Sequence, residues 1–231
     1  MPAGTINLAA VWDSLAQVQR NFSTINETLQ SKREPLSMLI IENLMAGYTR
    51  LNEILEGDID LFQREHLTGI LELNHIVLCG PGWRENHEYL SHIYATQDHF
   101  FSSKPYNIGE LLRWYERHRR EPIWKRTAGL YAGALSTPQL FIEGNHRTGA
   151  LLMSYVMTRH GLPPFVLTPE NAKAYFDPST VIKYSHKKHI RTLFRIPKIK
   201  RKFGEFLKAQ SDPRFLRASD ARSGTSLAMA G

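Results

Sequence analysis

The chain has 231 residues, of which 42% are hydrophobic and 22% are charged, and its formal net charge is +7. This length can bury one sizeable core, and the composition is ordinary for a globular protein. No apolar run approaches the roughly 20 residues that a membrane-spanning helix needs, and no basic stretch precedes an apolar segment at the N-terminus. We therefore expect neither a membrane span nor a secretory signal, and the single cysteine, Cys79, excludes an internal disulfide.

The first third of the chain has the hydrophobic periodicity of helices. Residues 1–34 are predicted to hold an N-terminal helix, and Pro35 is suited to open the next one, which is expected to stop near Gly47. The predicted helices of this part cover residues 8–29, 35–47, 49–56 and 60–78. The following stretch, residues 83–103, is rich in aromatic residues and histidine without a clear period, and it predicts a loop or a short β-hairpin.

Helical periodicity resumes at Asn107, which is placed to cap a helix that ends before Pro122. Further helices are expected over residues 123–135, 145–159, 171–176 and 188–210. The small, polar residues of 211–231 predict a disordered tail. The pattern as a whole is typical of an all-α protein.

A basic segment precedes this tail. Nine Lys or Arg and no Asp or Glu lie between Lys183 and Lys202. Such a segment could bind an anionic partner, or it could be the solvated face of an amphipathic C-terminal helix over residues 186–210. Nucleic acid ranks last among the partners, because no recognised nucleic-acid-binding module accompanies the charge.

The most informative stretch runs from position 138 to 149, where a glycine-containing loop leads directly into a helix. Backbone N–H groups at Gly144, Asn145 and His146 would point to one spot and, with the helix dipole, bind an anion. Arg147 adds a guanidinium that suits phosphate oxygens. Glu143 supplies a carboxylate that could hold a divalent cation bridging phosphates.

These residues resemble the active-site motif of the Fic family, H-x-F-x-[DE]-G-N-x-R-x-x-R. Phe141, Glu143, Gly144, Asn145 and Arg147 match it at the proper spacing. The flanking sequence is also similar to the family, so the resemblance covers about residues 42–176 and predicts a Fic-like core over residues 35–185.

The resemblance implies a helical bundle with one β-hairpin flap, which would fall within residues 87–103. It also implies transfer of AMP from ATP to a hydroxyl of a target protein, which docks along the flap by strand addition. In that scheme ATP and Mg²⁺ are the cofactors, with Mg²⁺ on Glu143, and position 139, Phe141 and Asn145 belong to the catalytic group. Phosphate would bind at Gly144, Asn145, His146 and Arg147.

The chain departs from the motif at two positions. The family's histidine, which removes the proton of the hydroxyl, is Gln139, and its second arginine is Ala150. An amide cannot act as a general base, a role that typically contributes about 10²–10⁴-fold. Standard AMP transfer should therefore be weak or absent. His146 could replace the base only if its side chain faced the pocket, and we expect it to point away.

Some Fic proteins carry an inhibitory helix with the pattern [ST]-x-x-x-E-[GN]. Glu42 and Asn43 resemble its end, although Met38 stands where the pattern has Ser or Thr. Glu42 is thus either an inhibitory residue that reaches Arg147 or an ordinary helix residue.

Two functions stay open at this point. One is a Fic-type transferase with weak or altered chemistry, and the other is a pseudoenzyme that binds a nucleotide or a partner as a scaffold. The target, a homodimeric state and the compartment, whether cytoplasm or a host cell into which the chain is delivered, also stay open.

Overall fold

The computed structural model describes residues 4–105, 107–187 and 190–217, without the side chains of 190–196. It is almost entirely helical, as the sequence predicted. The helices are α1 (Leu8–Arg20), α2 (Phe22–Thr28), α3 (Met38–Glu56), α4 (Leu67–Cys79), α5 (Leu90–Phe100), α6 (Ile108–Arg117), α7 (Ile123–Leu135), α8 (Asn145–Arg159), α9 (Ala172–Lys183) and α10 (Ile190–Ala209). Short 3₁₀ helices cover Arg64–His66, His87–Tyr89 and Pro213–Phe215. Within the described ranges, no helix is long and apolar enough to cross a membrane.

Helix α8 is the central element of the fold. Its buried residues run from Asn145 to Thr158 and contact neighbours on two sides. With α1, α3, α4 and parts of α6 and α7, α8 forms the larger apolar core, and with α7, α9 and α10 it forms a second core. A third, smaller cluster joins α1 and α2 to Ala172. Because α8 contributes to both of the larger cores, its N-terminus is held firmly between several other helices.

Helix α3 runs without interruption past Gly47, so the two helices predicted over 35–47 and 49–56 are one helix. Gly47 does not end it, because the glycine faces α8: an added Cβ would lie 2.5 Å from Cδ1 of Leu151. The missing side chain lets the two helices approach closely. The helix also begins later than predicted, since Ser37 rather than Pro35 marks its start and accepts a hydrogen bond from Ile40 N at 3.3 Å.

The segment expected to form the β-hairpin flap is helical. A 3₁₀ turn over His87–Tyr89 leads into α5, and Ile93, Thr96 and Phe100 form the buried face of that helix. The prediction of a loop or hairpin over 83–103 is therefore wrong for residues 87–100. His92 and His99 interrupt the apolar pattern of this short helix, which explains why its period is hard to read. No strand is present in this segment for a target to pair with.

The sheet that the structure does contain joins the two ends of the described chain. Strand β1 (Thr5–Ile6) pairs antiparallel with β2 (Leu216–Arg217). Phe215, just before β2, is buried in the larger core. The predicted disordered tail therefore does not begin at 211, and residues 218–231 lie outside the described residues.

The predicted basic C-terminal helix corresponds to α10, which packs against α7. Lys200 lies over the ring of Trp114, with its Nζ 4.9 Å from the ring centroid, and burial lowers the pKa of its ammonium. At least this cation of the segment 183–202 is packed against protein rather than presented to a partner. Residues 188–189 and the side chains of 190–196 lie outside the description.

Candidate functional site

The turn before α8 has a backbone conformation that favours glycine. Gly144, the residue preceding α8, has φ +72° and ψ 5°, which is the left-handed region. An added Cβ would lie 2.8 Å from Nδ2 of Asn74 and 3.1 Å from Cγ of Leu78, both on α4. Asn74 Nδ2 in turn donates hydrogen bonds to Glu143 O and to Thr148 Oγ1, both at 3.0 Å. Packing and hydrogen bonds from α4 therefore hold the turn in this conformation.

The side chain of Asn145 links the start of α8 to the preceding loop through two hydrogen bonds. Its Oδ1 accepts a hydrogen bond from Phe141 N at 2.9 Å, and its Nδ2 donates to Phe141 O at 2.8 Å. Both ends of the amide are thus used to shape the loop. The side chain of Asn145 is a positioning group, whereas its backbone N–H remains part of the helix N-terminus.

Phe141, which the motif places in the catalytic group, is buried in the core. Its side chain is only 1% exposed and stacks on Phe100, with 5.4 Å between the ring centroids. It anchors the loop to α5 and the core.

Gln139 lines the cavity described below, in agreement with its place in the motif. Its Nε2 donates to Leu135 O at 3.1 Å, and its Oε1 accepts from Asn145 Nδ2 at 3.4 Å. The amide is thus part of the loop's own hydrogen-bond network. Since an amide does not titrate near neutral pH, this position supplies no base.

The first turn of α8 opens onto a cavity of about 540 Å³. The first helical hydrogen bond runs from Thr148 N to Gly144 O, so the N–H groups of Asn145, His146 and Arg147 have no acceptor within the helix. The predicted residues Gln139, Glu143, Gly144, Asn145, His146 and Arg147 all line this cavity.

The lining of the cavity combines charged and apolar side chains. Lys32, Arg33, Arg147 and Lys183 contribute four cationic side chains, against the two carboxylates of Glu34 and Glu143. The cavity is also lined by apolar side chains, among them Leu15, Leu36, Ile40, Leu44, Ala150, Phe165 and Leu167. Ala150, where the motif has its second arginine, adds no charge to the lining. The cavity is suited to a ligand with an anionic group and a less polar remainder.

Arg147 has two roles in this arrangement. It lines the cavity, and its Nη1 donates to Val77 O in the last turn of α4. Burial lowers the pKa of its guanidinium, while the nearby Glu143 carboxylate opposes that effect. An arginine is still charged at neutral pH. One edge of the guanidinium thus donates to a carbonyl group in the last turn of α4, while the residue still lines the cavity.

Glu143 is exposed at the mouth of the cavity, one residue before the turn. In the described part of the chain, no group of three or more His, Cys, Asp and Glu residues could hold a metal ion by itself. A divalent cation at Glu143 would therefore need further oxygen ligands, such as those of a bound polyphosphate.

His146 points into the molecule, contrary to the expectation that it points away. Its Nε2 lies 3.3 Å from Nη1 of Arg33, and its Nδ1 lies 3.1 Å from the hydroxyl of Tyr131. Arginine can only donate, so Nε2 is the acceptor and Nδ1 carries the proton. Tyr131 then donates to Ser179 Oγ at 2.8 Å, and Ser179 donates to Tyr175 O at 2.6 Å.

This network leaves His146 poorly suited to act as a base. Burial, and then the charges of Arg33 and Lys183, lower its pKa to about 3. The lone pair of Nε2 is already engaged by Arg33. Although the side chain faces the cavity, it does not replace the histidine that is absent at position 139.

Glu42 is exposed on α3 and does not line the cavity. The residues of α3 that face the cavity are Ile40, Leu44 and Tyr48. Glu42 therefore does not reach Arg147 in this structure, and the ordinary-helix interpretation describes it better than the inhibitory one.

The sequence did not reveal the part that Arg33 and Lys32 contribute. Both lie between α2 and α3, more than 100 residues before the motif, and the adjacent cations just before Pro35 were the available signal. In the sequence, Lys183 stands out only as the first residue of the basic segment. It reaches the cavity because Thr137 Oγ1 donates to Lys183 O at 2.9 Å, which ties the end of α9 to the loop before α8.

Gly144→Ala should destabilise the protein more than Gly161→Ala. Both glycines have left-handed backbones, with φ +72° and +73°, but no atom lies within 4 Å of a Cβ built at Gly161. We expect a loss of about 1 kcal/mol at Gly161 from backbone strain alone. At Gly144, overlap with α4 should raise the total to about 2–4 kcal/mol. Urea unfolding of the two variants measures the difference, and equal losses would contradict the close packing.

The stability of the protein should depend on His146 below about pH 6.5. The folded protein takes up a proton on His146 only near pH 3, whereas the unfolded chain takes it up near 6.5. Unfolding therefore binds a proton between these values, and the free energy of unfolding falls as the pH decreases through this window. Replacing His146 with Gln removes this contribution.

Urea unfolding at pH 7.5 and 5.5 tests the expectation. The wild type should lose about 1 kcal/mol more than His146→Gln between the two pH values. His87→Gln, at an exposed histidine, is the matched control and should follow the wild type. Identical pH profiles for the wild type and His146→Gln would show that His146 is not buried in its neutral form.

Comparisons with known proteins find similarity among solved structures. No protein-family model matches the chain, and no curated protein matches it. Among solved structures, the chain is similar to Fic-1 from C. elegans, with a TM-score of 0.47 and 17% sequence identity. The match covers 87% of this chain and 68% of the Fic-1 chain. A similarity at this level does not assign an activity.

Proposed function

We propose that this protein binds ATP together with Mg²⁺ in the cavity at the N-terminus of α8. The observation that carries the proposal is the convergence of that helix N-terminus with four cationic side chains on a cavity of about 540 Å³. A cavity of this size is within the range of small-molecule sites. Together with the motif that resembles the Fic family, it supports a nucleotide as the ligand.

The phosphate groups would lie between the N-terminus of α8 and the cationic side chains that line the cavity. The N–H groups of Asn145, His146 and Arg147 have no acceptor in α8, and the helix dipole adds partial positive charge at the same place. Arg147 and Lys183, which both line the cavity, would contact phosphate oxygens. An excess of cations at a cavity wall is energetically unfavourable unless an anion offsets it, which favours a polyphosphate ligand.

Glu143 would hold the magnesium ion. Its exposed carboxylate stands beside the turn that receives the phosphates. Mg²⁺ is commonly bound by one or two carboxylates together with substrate phosphates, and it keeps several waters. Bound there, the ion would neutralise phosphate charge and orient the group.

AMP transfer to a protein hydroxyl, as in the family that the motif resembles, is expected to be slow. Gln139 stands at the position of the base and is held by Leu135 O and Asn145. The imidazole of His146 is engaged by Arg33 and has a pKa far below neutrality. The chain can position a nucleotide, but neither Gln139 nor His146 is suited to take the proton of an attacking hydroxyl.

The second candidate is a pseudoenzyme that binds a nucleotide without turning it over. The engagement of both Gln139 and His146 within the fold favours it. The two candidates share the binding site and differ in whether transfer can be restored.

The wild-type protein should bind ATP in the presence of MgCl₂ with micromolar affinity, measured by isothermal titration calorimetry. Lys183→Gln should weaken this binding about tenfold or more, because it removes one charge-assisted contact to phosphate. Substitution of Gly144 is a poor choice for this test, since the turn is packed against α4.

Lys208→Gln is the matched control, since Lys208 is an exposed lysine of α10 away from the cavity. It should bind ATP as the wild type does. No heat of binding for the wild type at millimolar ATP would exclude the nucleotide site.

Gln139→His should produce AMP transfer that the wild type lacks or performs slowly. The introduced imidazole would provide the missing base, and we expect a rise of about 10²–10⁴-fold. Transfer of label from α-labelled ATP to the protein itself is the measurement. Gln139→Ala is the control, because it removes the amide without adding a base.

If Gln139→His binds ATP but transfers no label, the transferase interpretation is wrong and the pseudoenzyme interpretation stands. If Gln139→Ala gains as much activity as Gln139→His, the gain comes from space in the cavity rather than from a base.

A further inference from the structure

Arg33 is an unusual residue of the cavity, since it comes from the linker between α2 and α3 rather than from the motif. Its backbone is fixed on both sides: Arg33 N donates to Asn26 Oδ1 at 2.8 Å, and Asn26 Nδ2 donates to Arg33 O at 3.0 Å. Asn26 belongs to α2, so the linker cannot move freely at this point. The side chain therefore starts from a well-defined position.

The guanidinium of Arg33 is also held in place. Its Nη2 donates to Thr180 Oγ1 at 2.8 Å and to Phe176 O at 3.2 Å, and its Cζ lies 4.9 Å from the centroid of the Phe176 ring. Its Nη1 lies 3.3 Å from His146 Nε2, at the second residue of α8. The group spans from α9 to the first turn of α8 and lines the cavity between them.

The charge of Arg33 is only partly balanced: it helps to lower the pKa of the Asp177 carboxyl, but without a direct ion pair. Among the described residues, no carboxylate forms an ion pair with it; Asp177, on the same helix as Thr180, pairs with Lys173 at 2.8 Å instead. Its Nε is buried and has no hydrogen-bond partner. A partly buried charge without a counter-ion lowers stability, and an anionic ligand offsets that cost.

We propose that Arg33 is a ligand-binding residue that contacts a phosphate group of the bound nucleotide. This inference rests on the proposed function and names a contact outside the motif. Ala150, one turn into α8 on the face that carries His146, supplies no charge to the cavity. Arg33 supplies a guanidinium to the same cavity from a different part of the chain.

The alternative is that Arg33 only ties the linker to α9. The two roles differ in what they change. A structural tie affects the free energy of unfolding, whereas a phosphate contact affects the affinity for ATP and its dependence on salt, since each neutralised phosphate adds to that dependence.

The test is titration of ATP in MgCl₂ into the wild type, Arg33→Gln and Arg33→Lys by calorimetry, at low and at high KCl. Gln keeps donors for Thr180 and Phe176 but removes the charge. We expect Arg33→Gln to weaken binding about tenfold to a hundredfold and to reduce its salt dependence, with Arg33→Lys in between. The exposed Arg20, changed to Gln, is the matched control and should bind as the wild type does.

The outcomes separate this inference from the proposed function. Binding by the wild type with equal affinity and equal salt dependence in Arg33→Gln would overturn the role of Arg33 and leave the nucleotide site intact. An absence of ATP binding by the wild type would remove the proposed function itself.

A second measurement needs no variant, in case Arg33→Gln does not fold. Phenylglyoxal modifies accessible arginines, and mass spectrometry identifies the positions. ATP with MgCl₂ should protect Arg33 in the wild type while Arg20 stays reactive. Equal modification of Arg33 with and without ATP would contradict the contact.

Discussion

The site depends on a single backbone constraint, the left-handed turn at Gly144 pressed against α4. Because no side chain is present there, Asn74 can reach the carbonyl of Glu143 and the hydroxyl of Thr148 at once. That contact fixes the direction in which α8 leaves the loop, and α8 contributes buried residues to both of the larger apolar cores. The anion-binding end of α8 is thus rigid because the interior of the protein holds it, and ligand binding would require little ordering of the loop.

Local signals in the sequence were enough for most of the helices and for the motif. Asn107 caps α6, α7 covers the predicted residues 123–135, and α8 covers 145–159, since strong periodicity and clear caps mark these elements. Errors arose where tertiary packing outweighed local rules. Gly47 serves the contact of α3 with α8 instead of ending the helix, and α5 is stabilised by burying Ile93 and Phe100.

The candidate site was predicted only in the part that is contiguous in sequence. Gln139 and the residues from Glu143 to Arg147 meet in one cavity, because they belong to one loop and the helix that follows it. The roles within the motif were less predictable: Phe141 is packed in the core, and the side chain of Asn145 shapes the loop while its backbone N–H stays at the helix N-terminus. Arg33 and Lys183 come from distant segments, and their arrival at the cavity follows from the packing of the α2–α3 linker and α9 against α8, which no local pattern encodes.

The small sheet between β1 and β2 has a consequence for how the protein folds. Pairing Thr5 with Arg217 closes a loop of more than 200 residues for the sake of two short strands. The entropic cost of closing so long a loop is offset only after the helices between the two strands have packed and brought the chain ends together. We therefore expect the sheet to form late in folding. Ile6, in β1, and Phe215, just before β2, would then be the last residues to enter the core.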